Sequence, residues 1–257
     1  MTEDSRQLQK EYYRGSVNTE FEIVRPRGCG RLYTYFMMYK IRMGLRFLPV
    51  PLAGESVLNI CCGSGMDAEF LAREGGHVIG LDLSKDAVLR ARQRAQRYGF
   101  AVHLVVGDAE HLPFRSGAVA LGFVHDGLHH IPDPHSAMRE LTRVARSAIL
   151  LIEPANAAVT RLAVKLGISG EYEDAGNYVY RLTRAELITL FHSLRLRHLK
   201  IRRYLMYYHH EPRWYYRLFD KEIPFRLLQL AFLFANFTVG RWGNKIMCLA
   251  VKDSSDR

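Results

Sequence analysis

The 257 residues, 48% of them hydrophobic, suffice for one substantial buried core, so a single large α/β domain with appendages is expected rather than two independent units. A formal net charge of +10 is compatible with nucleic acid, an anionic membrane or a phosphorylated substrate as partner, and says nothing about fold. Residues 1–10 are polar and charged, which excludes a signal peptide or membrane anchor there and leads to a cytoplasmic reading; Cys29, Cys61, Cys62 and Cys248 lack the paired spacing of a zinc site or disulfide framework.

Along the chain, residues 32–48 are rich in Tyr, Phe and Met with spaced Arg and Lys. They read as an amphipathic helix that can lie over the carboxyl edge of a sheet. Apolar runs follow at 57–60, 78–81, 102–106, 119–124 and 148–152, the interval expected of parallel strands separated by helices. Their near-continuous hydrophobicity suits strands covered on both faces. A helix is expected over 66–73, and Ser84 caps another that Gly99 ends after Tyr98. Asp133-Pro134 opens a third with a capping carboxylate and a proline preset for the first turn, and Thr183 with Glu186 forms a capping box for a fourth, ending near Ser193. A strand at 196–205 precedes a long connection, 206–243, before a last strand at 245–251. Long connections are usually functional or separately structured. No internal repeat or low-complexity segment interrupts the pattern.

The first two strands carry the chemistry. The run Val57-Leu58-Asn59-Ile60 leads into Cys61-Cys62-Gly63-Ser64-Gly65 and a helix, a geometry that places free backbone N–H groups beside the carboxyl end of a strand, where an adenosine-type ligand can approach. The second strand ends on Asp82, about twenty residues past the turn, with the reach to accept hydrogen bonds from both ribose hydroxyls. Glycine turn plus acid also describes NAD binding, although the full glycine spacing of that motif is missing.

Four segments together resemble the class I S-adenosylmethionine-dependent methyltransferases, in particular the small-molecule group of the methyltransferase type 11 kind. They are residues 58–65, Gly80-Leu81-Asp82-Leu83-Ser84, Gly107-Asp108-Ala109-Glu110-His111-Leu112-Pro113-Phe114, and Leu128-His129-His130-Ile131-Pro132-Asp133-Pro134. The resemblance covers roughly residues 56–154. It implies S-adenosylmethionine as cofactor, with Asn59, Cys61, Gly63, Ser64 and Gly65 around its methionine part, Asp82 on the ribose, Leu83, Asp108 and Ala109 bordering the adenine, and His125 also among the cofactor-binding residues. Two positions depart from the family: an acid is usual where Asn59 stands, and glycine where Cys61 stands. With a Cβ at Cys61, the backbone there is expected to take an ordinary conformation. The implied fold class is α/β: a doubly wound, mostly parallel Rossmann-like sheet with an antiparallel last strand. The expected organisation is an N-terminal helical lid (1–50), a cofactor-binding domain (51–205 and 244–253) and a helical insertion (206–243) as substrate cap.

Methyl transfer is an in-line displacement, so the protein must hold nucleophile and methyl in line and exclude water. For a hydroxyl nucleophile, His129 or His130 can remove the proton near neutral pH, although both can equally be structural. His125 and Asp126 form a second pair that would point oppositely on an extended chain. With Glu153 they lack any recognised ligand spacing, so no metal is expected. Tyr12, Tyr13, Tyr172, Asp174, Tyr178 and Tyr180 are candidates for the substrate wall, with Tyr13, Tyr178 and Tyr180 preferred. In the 206–243 connection, residues 209–217 mix aromatics with base, and 223–237 is apolar nearly all round. It reads as a buried helix, a dimer contact or an interfacial helix among lipid headgroups. The leading expectation is O-methylation of a small organic acceptor, amphipathic or anionic, such as a sugar, a lipid-linked intermediate or a secondary metabolite, with peripheral membrane contact left open. C-methylation of a quinone or isoprenoid-like acceptor, RNA methylation suggested by the basic stripe at 195–203, and a non-catalytic cofactor-binding protein are the rivals. Oligomeric state is undetermined.

Overall fold

The computed structural model describes residues 31–49, 51–167, 170–172, 178–196, 198–207 and 214–252. Seven strands form one sheet: β1 (Ser56–Ile60), β2 (His77–Asp82), β3 (His103–Val106), β4 (Val119–His125), β5 (Ala145–Pro154), β6 (His198–Tyr204) and β7 (Lys245–Val251). Their order is β3-β2-β1-β4-β5-β7-β6. The neighbours from β3 to β5 pair in parallel, and β7 runs antiparallel between β5 and β6. The sheet is therefore the doubly wound, mostly parallel one that the alternation of apolar runs predicts, with the expected antiparallel last strand.

Among the described residues, seven α-helices accompany it: α1 (Arg31–Leu45), α2 (Met66–Arg73), α3 (Lys85–Tyr98), α4 (Pro134–Val144), α5 (Ala158–Lys165), α6 (Arg184–Ser193) and α7 (Glu222–Thr238). Their ends follow the capping residues. The Ser84 hydroxyl accepts from the Ala87 N–H, Gly99 closes α3 in the left-handed conformation, and Asp133 accepts from the Ser136 N–H. Thr183 and Glu186 make the reciprocal capping box of α6. Helix α5 has no counterpart in the sequence reading; it buries none of its residues, so its apolar positions carry no core-facing pattern to detect.

Alternation along each strand divides the core between the two faces. Leu58 and Ile60 of β1 pack with Met138 and Leu141 of α4 and Phe191 of α6, while Val57 faces Leu71 of α2 and Met37 of α1. Two expectations about the flanking segments are corrected. Helix α1 lies on a face of the sheet and does not simply cover its edge, because Leu32, Tyr33, Phe36, Met37, Lys40, Ile41, Met43 and Gly44 recur at helical spacing and bury one continuous stripe. Helix α7 is not a buried helix: only Phe225 and Asn236 are buried, and its inner side rests on α1, where Phe232 meets the rings of Tyr35, Phe36 and Tyr39. Asn236 anchors it further by accepting from the Leu205 N–H (2.9 Å) and donating to the Leu205 carbonyl (3.1 Å).

Candidate active site

The turn after β1 and the ends of β2 and β4 meet at the carboxyl edge of the sheet. Gly65 opens α2 at φ +82°, and an added Cβ there would lie 3.0 Å from that of Ala91, so both backbone and space call for glycine. The Gly63 N–H donates to one carboxylate oxygen of Asp82 and the Ser84 N–H to the other, each at 2.9 Å. Asp82 is thereby fixed at the end of β2.

Cys61 overturns the expectation of an ordinary backbone: its φ is +51°, in the left-handed region. A side chain there costs of order 1–3 kcal/mol in strain. Its surroundings show what holds it. Gly127 from the segment after β4 packs so closely that a Cβ on it would come within 2.6 Å of the Cys61 Cβ. Burial, reinforced by the Asp82, Glu153 and Asp108 carboxylates, pushes the Cys61 thiol well above its usual range.

Past β4 the chain is not extended, which corrects the expectation that His125 and Asp126 point oppositely. Asp126 takes φ +46°, and its carboxylate turns back to within 3.1 Å of His125 Nε2. The same carboxylate receives Lys40 of α1 (2.8 Å) and Lys245 of β7 (2.5 Å), while His125 Nδ1 faces Asp67 of α2 at 2.9 Å. Burial favours the neutral acid, but Lys245, Lys40 and His125 outweigh it and hold the Asp126 carboxyl well below the usual range. Burial likewise opposes charge on His125, yet Asp67 and Asp126 prevail over it and over Lys40, and its pKa is raised. Behind this cluster Glu153, at the end of β5, accepts the N–H groups of Gly127 (2.8 Å) and Leu128 (2.9 Å) and pairs with His129 Nδ1 (3.0 Å). A single buried carboxylate thus folds the segment that follows β4.

These elements enclose a cavity of about 240 Å³. Its wall brings together Cys61 and Gly63 from the first turn, Asp82, Leu83 and Ser84 after β2, Asp108, Ala109 and Glu110 after β3, and Asp126, Gly127 and His130 after β4. Asn59, Ser64, Gly65, His125 and His129 do not line it. Asn59 is fully buried, donates to the Ile60 carbonyl, and leaves its Oδ1 without a hydrogen-bond partner among the described residues. Tyr178 is exposed on the surface, and Tyr180 hydrogen-bonds Glu186, with burial first and that carboxylate second pushing its hydroxyl up to about 12. Tyr12, Tyr13 and Asp174 lie outside the described residues. Among the described residues no group of three or more His, Cys, Asp or Glu side chains is disposed to hold a metal ion.

Sequence reasoning missed the full cluster around Asp126. Lys40 and Lys245 stand 86 and 119 residues away, so no local motif signals that they converge on one carboxylate. Glu153 was visible only as a polar strand end.

Residues 57–148 match the family model described as a methyltransferase domain. Over that stretch the chain carries a methyltransferase domain. Over 96 residues it is 34% identical to the ubiquinone biosynthesis O-methyltransferase of Pectobacterium carotovorum, covering 37% of this chain and 40% of the relative. Over 101 residues it is 37% identical to the demethylmenaquinone methyltransferase of Lactiplantibacillus plantarum, covering 37% of this chain and 43% of that protein. The chain thus spans less than half the length of both relatives. Among solved structures, the magnesium protoporphyrin IX methyltransferase of Synechocystis PCC 6803 with bound S-adenosylhomocysteine superposes with a TM-score of 0.59 at 17% identity, covering 97% of this chain and all of that one. At that identity the likeness speaks for the fold of the methyltransferase domain and its surroundings.

Proposed function

We propose that this domain binds S-adenosylmethionine and transfers its methyl group to an oxygen of a small organic acceptor. The observation that carries the reading is the cavity wall itself, in which Asp82 stands between the glycine turn and the Asp108-Ala109 pair. Those groups fit the cofactor. Asp82 offers carboxylate oxygens to the ribose hydroxyls, and Leu83 and Ala109 offer apolar surface to the adenine. When bound, the cofactor supplies an electrophilic methyl on a sulfonium.

What remains is positioning and one proton. His130 lines the cavity, whereas His129 is held against Glu153 behind it, so His130 is the candidate base for an acceptor hydroxyl. Asp126, held deprotonated by two lysines, is a poor base and acts instead to fix the wall. The O-methyltransferase relative supports oxygen as the atom methylated, and the quinones in both relatives' names support an amphipathic acceptor. A labelled-methyl assay against extracted metabolites and lipids, with identification of the methylated atom, tests the reading. Label appearing on carbon would replace oxygen by carbon, and label confined to RNA would reject the small acceptor.

A further inference from the structure

Helix α7 exposes an apolar half of its circumference. Ile223, Leu227, Leu230, Phe234 and Phe237 follow one another at alternating steps of four and three, each between 62% and 88% exposed, with Leu233 beside them. The charges on this side are Glu222 and Arg226, paired to each other across one turn at 2.8 Å. Both ends carry aromatic and basic side chains. Trp214, Arg217 and Lys221 precede the helix, and Arg241 stacks 3.9 Å over the ring of Trp242 after it. The exposed bases Arg217, Lys221, Arg226 and Arg241 outnumber the acids Asp220 and Glu222.

We propose that this face of α7, with the turns at its two ends, docks on an anionic lipid surface, an inference that rests on the reading of an amphipathic acceptor. A partner helix would need only a narrow seam of two positions in seven with alternating charges along its borders. Here the exposed Ala231 and Leu233 widen the row from Ile223 to Phe237 to nearly half the circumference, and beyond Arg226 its borders carry no charge. A plane of headgroups covers such an arc, tryptophan settles at its interface, and the excess of Arg and Lys complements its negative charge. No helix among the described residues is long and apolar enough to cross a membrane, so α7 lies on the surface. Topology gives the docking a use. The insertion leaves β6 and returns to β7 at the carboxyl edge, where Lys245 holds Asp126 in the cavity wall. A chain docked through α7 thus carries that edge close to the lipid.

The test is cosedimentation of the full chain with vesicles of phosphatidylcholine alone or with about one third phosphatidylglycerol, at low and raised salt. The Phe234→Glu and Phe237→Glu variants alter exposed side chains and should fold. Calorimetric S-adenosylhomocysteine binding and solution mass are measured alongside. The intact chain should partition onto anionic vesicles at least about 10-fold better than onto neutral ones, less so as salt rises, with the blue shift of a buried tryptophan. Each variant should lose about 10-fold or more while keeping its S-adenosylhomocysteine affinity. No vesicle binding, or equal binding by intact chain and variants, overturns the proposal. A dimer in solution that either variant turns into a monomer assigns the face to a second copy instead. Failure of the cofactor reading shows separately, as absent S-adenosylhomocysteine binding in the intact chain.

Discussion

At the residue scale, the site depends on a few side chains whose roles separate by measurement. Because Asp82 also anchors the Gly63 and Ser84 N–H groups, Asp82→Ala should weaken S-adenosylhomocysteine binding by about 1.5–3 kcal/mol. Asp82→Asn keeps one acceptor oxygen and should weaken it less; calorimetry of both variants measures the difference, and unchanged affinity in Asp82→Ala would remove the ribose assignment. The two histidines should part company. His130→Gln should lower turnover by roughly 10²–10⁴-fold with cofactor affinity nearly intact, whereas His129→Gln removes the imidazole that pairs with buried Glu153 and should act on stability. Thermal unfolding beside kinetics distinguishes the two effects, and full turnover of His130→Gln leaves positioning as the catalytic contribution. Two of the thiols give a third readout. Cys248 is pushed up to about 12 and Cys61 well above its usual range, so both should alkylate far more slowly in the native chain than after unfolding, as followed by mass spectrometry. S-adenosylhomocysteine should slow Cys61 further, since that thiol lines the cavity and Cys248 does not, and no protection would place the ligand elsewhere.

At the scale of elements, legibility tracked locality. Strands and capped helices were readable because each encodes its own period and ends: Ser84 with Gly99, Asp133 with Pro134, Thr183 with Glu186. Residues gathered by sequence-local turns, Gly63, Asp82, Asp108 and Ala109, were equally readable and do share one cavity. What the sequence hid was long-range or conformational. Cys61 and Asp126 adopt left-handed backbone that side-chain identity disfavours, and the groups packed on them, Gly127 on Cys61 and Lys40 and Lys245 on Asp126, are brought in by tertiary packing. The attachment of α7 was hidden for the same reason, since Asn236 satisfies the backbone of Leu205 31 residues away. That attachment is thin, because the helix buries little else. Asn236→Ala strands the Leu205 N–H and carbonyl, and should cost about 1–3 kcal/mol in local stability. Amide exchange within Glu222–Thr238 should then accelerate well ahead of exchange in β1 and β4, and uniform acceleration would show that the insertion unfolds only with the core.

At the scale of the whole molecule, Asp126 ties together segments far apart in the chain: α1 through Lys40, β7 through Lys245, and α2 through His125 and Asp67. Lys40 is fully buried, so removing the Asp126 carboxylate takes a counter-charge away from an ammonium that water does not reach. Asp126→Ala should therefore destabilise the fold by about 3 kcal/mol near neutral pH, the lower end for breaking a buried pair since the carboxylate itself faces the cavity. The pH dependence follows from the direction of the shift. With its folded pKa depressed, the Asp126 carboxylate contributes stability that is present above the ordinary carboxylate pKa of about 4 and is lost as pH falls through the folded value. His125 works the other way: its folded pKa is raised, so its contribution is full below its ordinary range and is lost as pH rises through the folded value. The gap in unfolding free energy between the native chain and Asp126→Ala should thus be widest near neutral pH and close in acid. Urea titrations of both at a series of pH values measure it. A gap that stays constant into acid would mean that Asp126 stabilises the fold by shape rather than by charge, and that the lysines find other partners when it is gone.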